Sequence, residues 1–202
     1  MLAFAHRGGC ADAPDNSLQA FRLALSRGVT ALETDAWLDA SGEPVLSHDR
    51  PRSGALPLRA LLAECGVGFD LCVDLKAPRT AGPVVAVARE AGLDLRRLWL
   101  VGRGRAPLAW RDVDPDVRLV TDTRVQHALP VPTAYLRRLH SGGVQAVNLR
   151  RRNWSTSLVE RVHAAGLLAF AWDVQTVARR DAVRDMGVDG FFSDHLSLVA
   201  PG

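Results

Sequence analysis

Glu33 and Asp35 stand two residues apart inside the apolar run Ala31–Trp37. Side chains alternate along an extended strand, so the two carboxylates share one face while Leu32, Thr34 and Ala36 take the other. Neighbouring carboxylates on a buried strand repel each other and resist desolvation unless a cation lies between them. The pair therefore directs the search to a metal. Asp74 and Lys76 repeat the same spacing in VDLK, and Lys76 is the only lysine of the chain. His6-Arg7-Gly8-Gly9 closes the first apolar run. His48-Asp49 closes a short strand, Pro44–Ser47, that follows a tight turn at Asp39-Ala40-Ser41-Gly42.

These groups must be held by regular elements, and the chain supplies them in alternation. Apolar strand patterns fall at Leu2–His6, Ala31–Trp37, Leu71–Leu75, Leu98–Gly102, Arg118–Thr121, Ala146–Leu149, Leu168–Trp172 and Gly190–Ser193. Amphipathic helical patterns separate most of them, at Asn16–Ser26, Leu58–Cys65, Thr80–Ala91, Thr133–His140, Ser155–Ala165 and Thr176–Met186, with a weaker one at Ala106–Asp112. Eight strands with about seven helices predict a compact (β/α)8 TIM barrel. An open doubly wound sheet is the alternative, but no glycine-rich phosphate fingerprint follows the first strand. In a barrel the ends of the strands form the site. Each strand then delivers polar groups to one mouth: His6 and Arg7, Glu33 and Asp35 with His48, Asp74 and Lys76, Arg103, Asn148 with Arg150, Trp172, and Ser193-Asp194.

The 202 residues, 48% of them hydrophobic, suit one domain spanning 1–202. Cys10, Cys65 and Cys72 are odd in number and unclustered, which predicts a reducing compartment and no disulfide framework. No signal-like leader or run of 18 apolar residues is present, so a cytoplasmic protein without stable membrane insertion is expected. The net charge of +3 is carried almost wholly by arginine, without a basic stripe or interleaved aromatics, so nucleic acid is not an expected partner. No helix face predicts an oligomeric state. His127, His140, His163 and His195 receive no role, and Asn16 is expected to cap the first helix.

The run AHRGGCADAPDNSLQAF resembles the opening motif of the glycerophosphodiester phosphodiesterase family. ETDAWLDASGEPVLSHD is similar to that family's E-x-D strand and His-Asp hairpin. VDLK stands where the family has E-x-K, and FAWDVQT and GVDGFFSD are similar to its last two strands. These motifs stand in the right order and cover nearly the whole chain. The resemblance implies a barrel enzyme that hydrolyses glycerophosphodiesters with one divalent cation, magnesium or calcium. It implies Glu33, Asp35 and Asp74 as metal ligands, His6 and His48 as the general acid and base, and Arg7 and Lys76 as contacts of the phosphoryl oxygens. Trp172 would be a wall of the substrate site or part of the core, and Asp49 an orienting or hairpin residue.

The residue types suit that chemistry. Oxygen ligands favour hard cations, and charge gathering on a phosphoryl group is stabilised by a cation with Arg7 and Lys76. Two histidines can divide proton removal from the nucleophile and proton delivery to the leaving alkoxide. The chain departs from the family pattern at Asp74, one methylene shorter than glutamate, and at Asp173 and Gln175, where the family tends towards threonine and asparagine. HDRPRSGALPLRALL also crosses to the next helix without the family's usual small insertion, which predicts an open rim. Two alternatives follow: a lysophospholipase D-like enzyme on lysolipids, and a barrel that binds phosphorylated ligands without turnover. Arg50, Arg52, Arg103 and Arg150 follow strands and are expected to steer anionic substrates.

Overall fold

A computed structural model describes residues 1–51, 53–123 and 131–201. Arg52 and His127 lie outside the described residues. The strands are β1 (Leu2–Ala5), β2 (Ala31–Leu38), β3 (Pro44–Leu46), β4 (Leu56–Pro57), β5 (Asp70–Leu75), β6 (Leu98–Arg103), β7 (Arg118–Asp122), β8 (Val144–Arg150), β9 (Leu168–Trp172) and β10 (Gly190–Ser193). Eight of them form a closed parallel barrel in the order β1-β10-β9-β8-β7-β6-β5-β2, and β2 pairs back with β1 to seal it. This is the expected (β/α)8 architecture. β3 and β4 are an antiparallel appendage on β2.

The helices α1 (Leu18–Ser26), α2 (Leu58–Cys65), α3 (Ala81–Glu90), α4 (Thr133–Ser141), α5 (Thr156–Ala164), α6 (Val177–Asp185) and α7 (Leu196–Val199) cover the outside. The weak pattern after the fourth barrel strand forms only a 3₁₀ helix, Ala106–Trp110. Its Pro107 lacks an amide donor, and an Asp- and Pro-rich run follows at once. Asn16 does not cap α1: Ser17 does, accepting the amide of Ala20.

Alternation along the strands divides the core in two. Outward side chains such as Leu32, Ala36, Leu71, Val73 and Leu100 pack under the helices. Inward ones, Phe4, Ala31, Cys72, Trp99, Val120, Ala146, Phe170 and Phe192 among them, fill the barrel. The Phe4 and Phe192 rings stack at 4.8 Å, and Trp99 lies 5.2 Å from Phe170. The same inward parity, continued two residues further along each strand, produces the mouth. Phe4 leads to His6, Ala31 to Glu33 and Asp35, Cys72 to Asp74 and Lys76, Ala146 to Asn148 and Arg150, Phe170 to Trp172, and Phe192 to Asp194.

Candidate active site

β1 ends in a 3₁₀ turn, His6–Gly8, that reverses the chain directly above the barrel. Gly8 and Gly9 have φ of +83° and +92°, and a Cβ at Gly8 would lie 2.8 Å from the Cβ of Ala20. Only glycine meets both demands, backbone conformation and closeness to α1. Arg7 is left-handed too, at φ 51°, which aims its amide at Glu33 Oε2 at 2.9 Å. Its guanidinium turns to Asp35, with Nε 3.2 Å from Oδ2. Among the described residues two further non-glycine residues have positive φ, Asn16 and Asp173, and both also sit at the mouth. Strain of this kind gathers where surrounding contacts over-determine a functional geometry.

Glu33 and Asp35 are 5% and 2% exposed. Asp35 lies directly opposite Asp74 across the β2–β5 ladder, a like-charge pairing that would destabilise the sheet if uncompensated. Lys76 compensates it, with Nζ 2.5 Å from Asp35 Oδ1 and 2.6 Å from Asp74 Oδ2. Burial disfavours the Lys76 ammonium, but the charges of Asp74 and Asp35 outweigh it and raise its pKa. Burial likewise opposes the Asp35 carboxylate, but Lys76, the amide of Asn16 at 3.1 Å and Arg7 hold its pKa below the usual range. Glu33 is pushed up to about 7, chiefly by burial and further by the charges of Asp35 and Asp74. Its desolvated negative charge is the feature that a divalent cation would relieve.

The donors are hard oxygens, so the set fits magnesium or calcium in type. Among the described residues, one trio of potential ligands already has its donor atoms within 4.8 Å of one another: His6, Cys10 and Asp194. The acidic trio Glu33, Asp35 and Asp74 is held differently, with an ammonium between its two aspartates.

His6 is braced from behind. Its Nδ1 pairs with Asp194 Oδ1 at 2.6 Å, which leaves Nε2 facing Glu33 Oε2 at 3.8 Å. Burial of the ring lowers its pKa, yet the Glu33 charge and the Asp194 bond prevail and raise it from 6.5 to about 10. The His6 bond in turn lowers Asp194 to about 2. Gln175 fixes Asp194 by accepting its amide at 3.0 Å. His48 is half exposed after the β3 strand, its Nδ1 2.9 Å from Asp49 Oδ1.

One cavity of about 640 Å³ joins all of the sequence-derived site residues: His6, Arg7, Glu33, Asp35, His48, Asp74, Lys76 and Trp172. Arg103 and Arg150 line it as well, whereas Arg50 lines a neighbouring cavity of about 580 Å³ beside the short β3–β4 hairpin. The sequence reading missed Asn16, whose carboxamide links Thr34 and Asp35, and it gave Asp194 no task. The Asn16-Ser17 pair offers two cap candidates side by side, and only the second is used. That ambiguity was the available signal.

A sequence profile of the glycerophosphoryl diester phosphodiesterase family matches residues 6–57 and 108–198. Human glycerophosphodiester phosphodiesterase 1 is 51% identical over 47 residues, which is 23% of this chain and 14% of the human protein, so this likeness spans only a small part of that relative's length. A phosphodiesterase of Oleispira antarctica, solved with its product sn-glycerol 3-phosphate, superposes with a TM-score of 0.84 at 19% identity, over 98% of this chain and 95% of that one. A glycerophosphodiester phosphodiesterase of Thermotoga maritima gives 0.79 at 15% identity, over 98% and 96%. At these identities the two structures share the fold.

Proposed function

The chain belongs to the glycerophosphoryl diester phosphodiesterase family, and we propose that as a single barrel domain it hydrolyses glycerophosphodiesters to glycerol 3-phosphate and an alcohol. The observation that carries this reading is the convergence of three carboxylates, two cations and two histidines on one cavity at the C-terminal mouth. Glu33, Asp35 and Asp74 would hold one magnesium or calcium ion, which supplies charge neutralisation on the phosphoryl oxygens.

Arg7 and Lys76 bind the anionic diester, and each is already tethered to Asp35, so neither needs to be ordered as the substrate enters. His6 and His48 both line the cavity and divide proton removal from proton delivery. Asp194 is a positioning residue: it takes Nδ1 of His6 and leaves Nε2 to work on the substrate side. Trp172, 38% exposed at the end of β9, forms an apolar wall.

A lysolipid substrate is a second reading, favoured by one observation. The cavity beside the β3–β4 hairpin is lined by Trp37, Leu38, Val45 and Pro51 together with the charged Asp39, Arg50 and Arg79, and it shares Trp37 with the space around His48 and Lys76. An acyl chain would lie along its apolar residues, beside Arg50 and Arg79.

The test is release of glycerol 3-phosphate from glycerophosphocholine and glycerophosphoethanolamine with magnesium, calcium or chelator, for the wild type, His6→Ala and Asp35→Asn. Cation-dependent release that disappears in both variants is expected. Undiminished release in the presence of chelator would remove the metal from the mechanism, and cleavage of lysolipids alone would select the second reading.

A further inference from the structure

The cavity has a second half, of which the proposed reaction uses only Trp172. Beyond the carboxylates it extends over the ends of β6, β8 and β9, where Arg103, Arg150 and Arg152 line it together with Asn148 and Trp172. Asp173 orients Arg150, accepting its Nε at 2.8 Å. Arg103 stands opposite Asp122 across the β6–β7 ladder, and Arg103 and Arg152 are both exposed. Asp122 is the carboxylate on this wall, so the guanidinium groups outnumber it.

Asn148 is 8% exposed, and its carboxamide oxygen has no hydrogen-bond partner among the described residues. A buried polar atom left unpaired at a cavity wall is costly unless a ligand completes it. The face of Trp172 is also committed. The Arg150 guanidinium lies 5.3 Å from the ring centroid, so a quaternary ammonium seeking that face would meet a like charge already in place.

Resting on the diesterase reading, we propose that the enzyme prefers diesters whose arm other than glycerol carries an anionic group, a carboxylate or a further phosphate. The anion sits among Arg103, Arg150 and Arg152, and a hydroxyl or ammonium hydrogen of the same arm donates to Asn148. Guanidinium groups suit both anions because their paired N–H bonds match two oxygens at once. A choline arm offers neither the anion nor a donor. Trp172 and Arg150 then form a specificity element.

The experiment compares kcat/KM for glycerophosphoserine, for fully deacylated cardiolipin and for glycerophosphocholine, with wild type, Arg152→Gln and Arg103→Gln. A charge-assisted bond made to the anionic arm alone predicts a preference of about 10-fold or more over the choline diester. Each variant should lower that ratio several-fold. The serine and cardiolipin-derived diesters separate carboxylate from phosphate as the favoured anion. A ratio of one or below, or variants that slow all three substrates equally, overturns the subsite while leaving the diesterase intact. If no diester is cleaved under any cation, the hydrolase reading falls instead. Calorimetric titration with glycerophosphoserine and glycerophosphocholine then decides the subsite, since equal affinities refute it and tighter binding of the serine diester upholds it.

Discussion

The two ends of the barrel interior are built from the same strands by the same alternation, yet they are organised in opposite ways. In the lower barrel, Phe4, Trp99, Phe170 and Phe192 interlock with ring centroids between 4.8 and 6.4 Å apart. Its polar groups are closed off: Trp99 Nε1 donates to Asp70 at 3.0 Å, and Arg118 covers the Trp99 ring at 4.6 Å. Two residues further up, the mouth holds buried carboxylates, a strained Arg7 and an Asn148 whose carboxamide oxygen lacks a partner among the described residues. Large apolar contacts stabilise the first region. The second keeps charges desolvated and ready, a state that stability alone would not select.

The comparison is tested most severely by removing one group from each end. His6→Ala should reduce kcat by about 10³-fold, the scale of general acid–base catalysis, and cost less unfolding free energy than a cavity in the floor, because the Asp194 bond it loses is partly exposed. Phe170→Ala should do the reverse, costing about 3–5 kcal/mol in denaturant unfolding and leaving residual turnover with the wild-type pH profile. If the floor variant shifted that profile, the two regions would not be separable.

Glu33→Gln sharpens the contrast. Glu33 titrates at about 7 in the folded chain against 4.5 ordinarily, so its ionisation weakens the fold as pH rises between those values. The variant should abolish turnover while making the metal-free protein more stable at pH 8, by about 1–3 kcal/mol in urea unfolding. A loss of stability would show that the Glu33 charge is fully compensated without a cation. Asn16→Ala should lower kcat about 10-fold through a misplaced Asp35, an effect visible also as weaker cation affinity in calorimetry.

The smallest effect concerns Asp194. Its folded pKa of about 2 lies below the ordinary 3.8, so the stability it contributes is present above 3.8 and is lost as pH falls towards 2. Asp194 is a third exposed, and screening reduces its contribution to about 1 kcal/mol. Unfolding midpoints measured from pH 5 to pH 2.5 should decline less steeply in Asp194→Asn than in the wild type. Equal slopes would make the His6 bond energetically neutral.

Much of this arrangement was legible in the chain. The strand patterns predicted the barrel because period-2 alternation and terminal polar residues are local properties, and HRG, E-x-D and His-Asp stood out by residue type. Less was legible about partners. The capping role expected for Asn16 fell to Ser17, because two adjacent residues had suitable side chains and only the path of the chain over Asp35 selected between them. The helix expected at Ala106–Asp112 contracted to a 3₁₀ turn for want of length between prolines.

The sequence by itself determined which residues face inward, since a strand places i and i+2 on one side whatever it packs against. It therefore set Glu33 with Asp35, and Asp74 with Lys76. Closure of the sheet decided the rest. The β2–β5 register set Asp35 opposite Asp74 and brought the Lys76 ammonium between them. Pairing of β1 with both β2 and β10 carried Asp194 to His6 across 188 residues of chain. Such contacts depend on which strands become neighbours, and that is fixed by the packing of the whole barrel rather than by any local stretch.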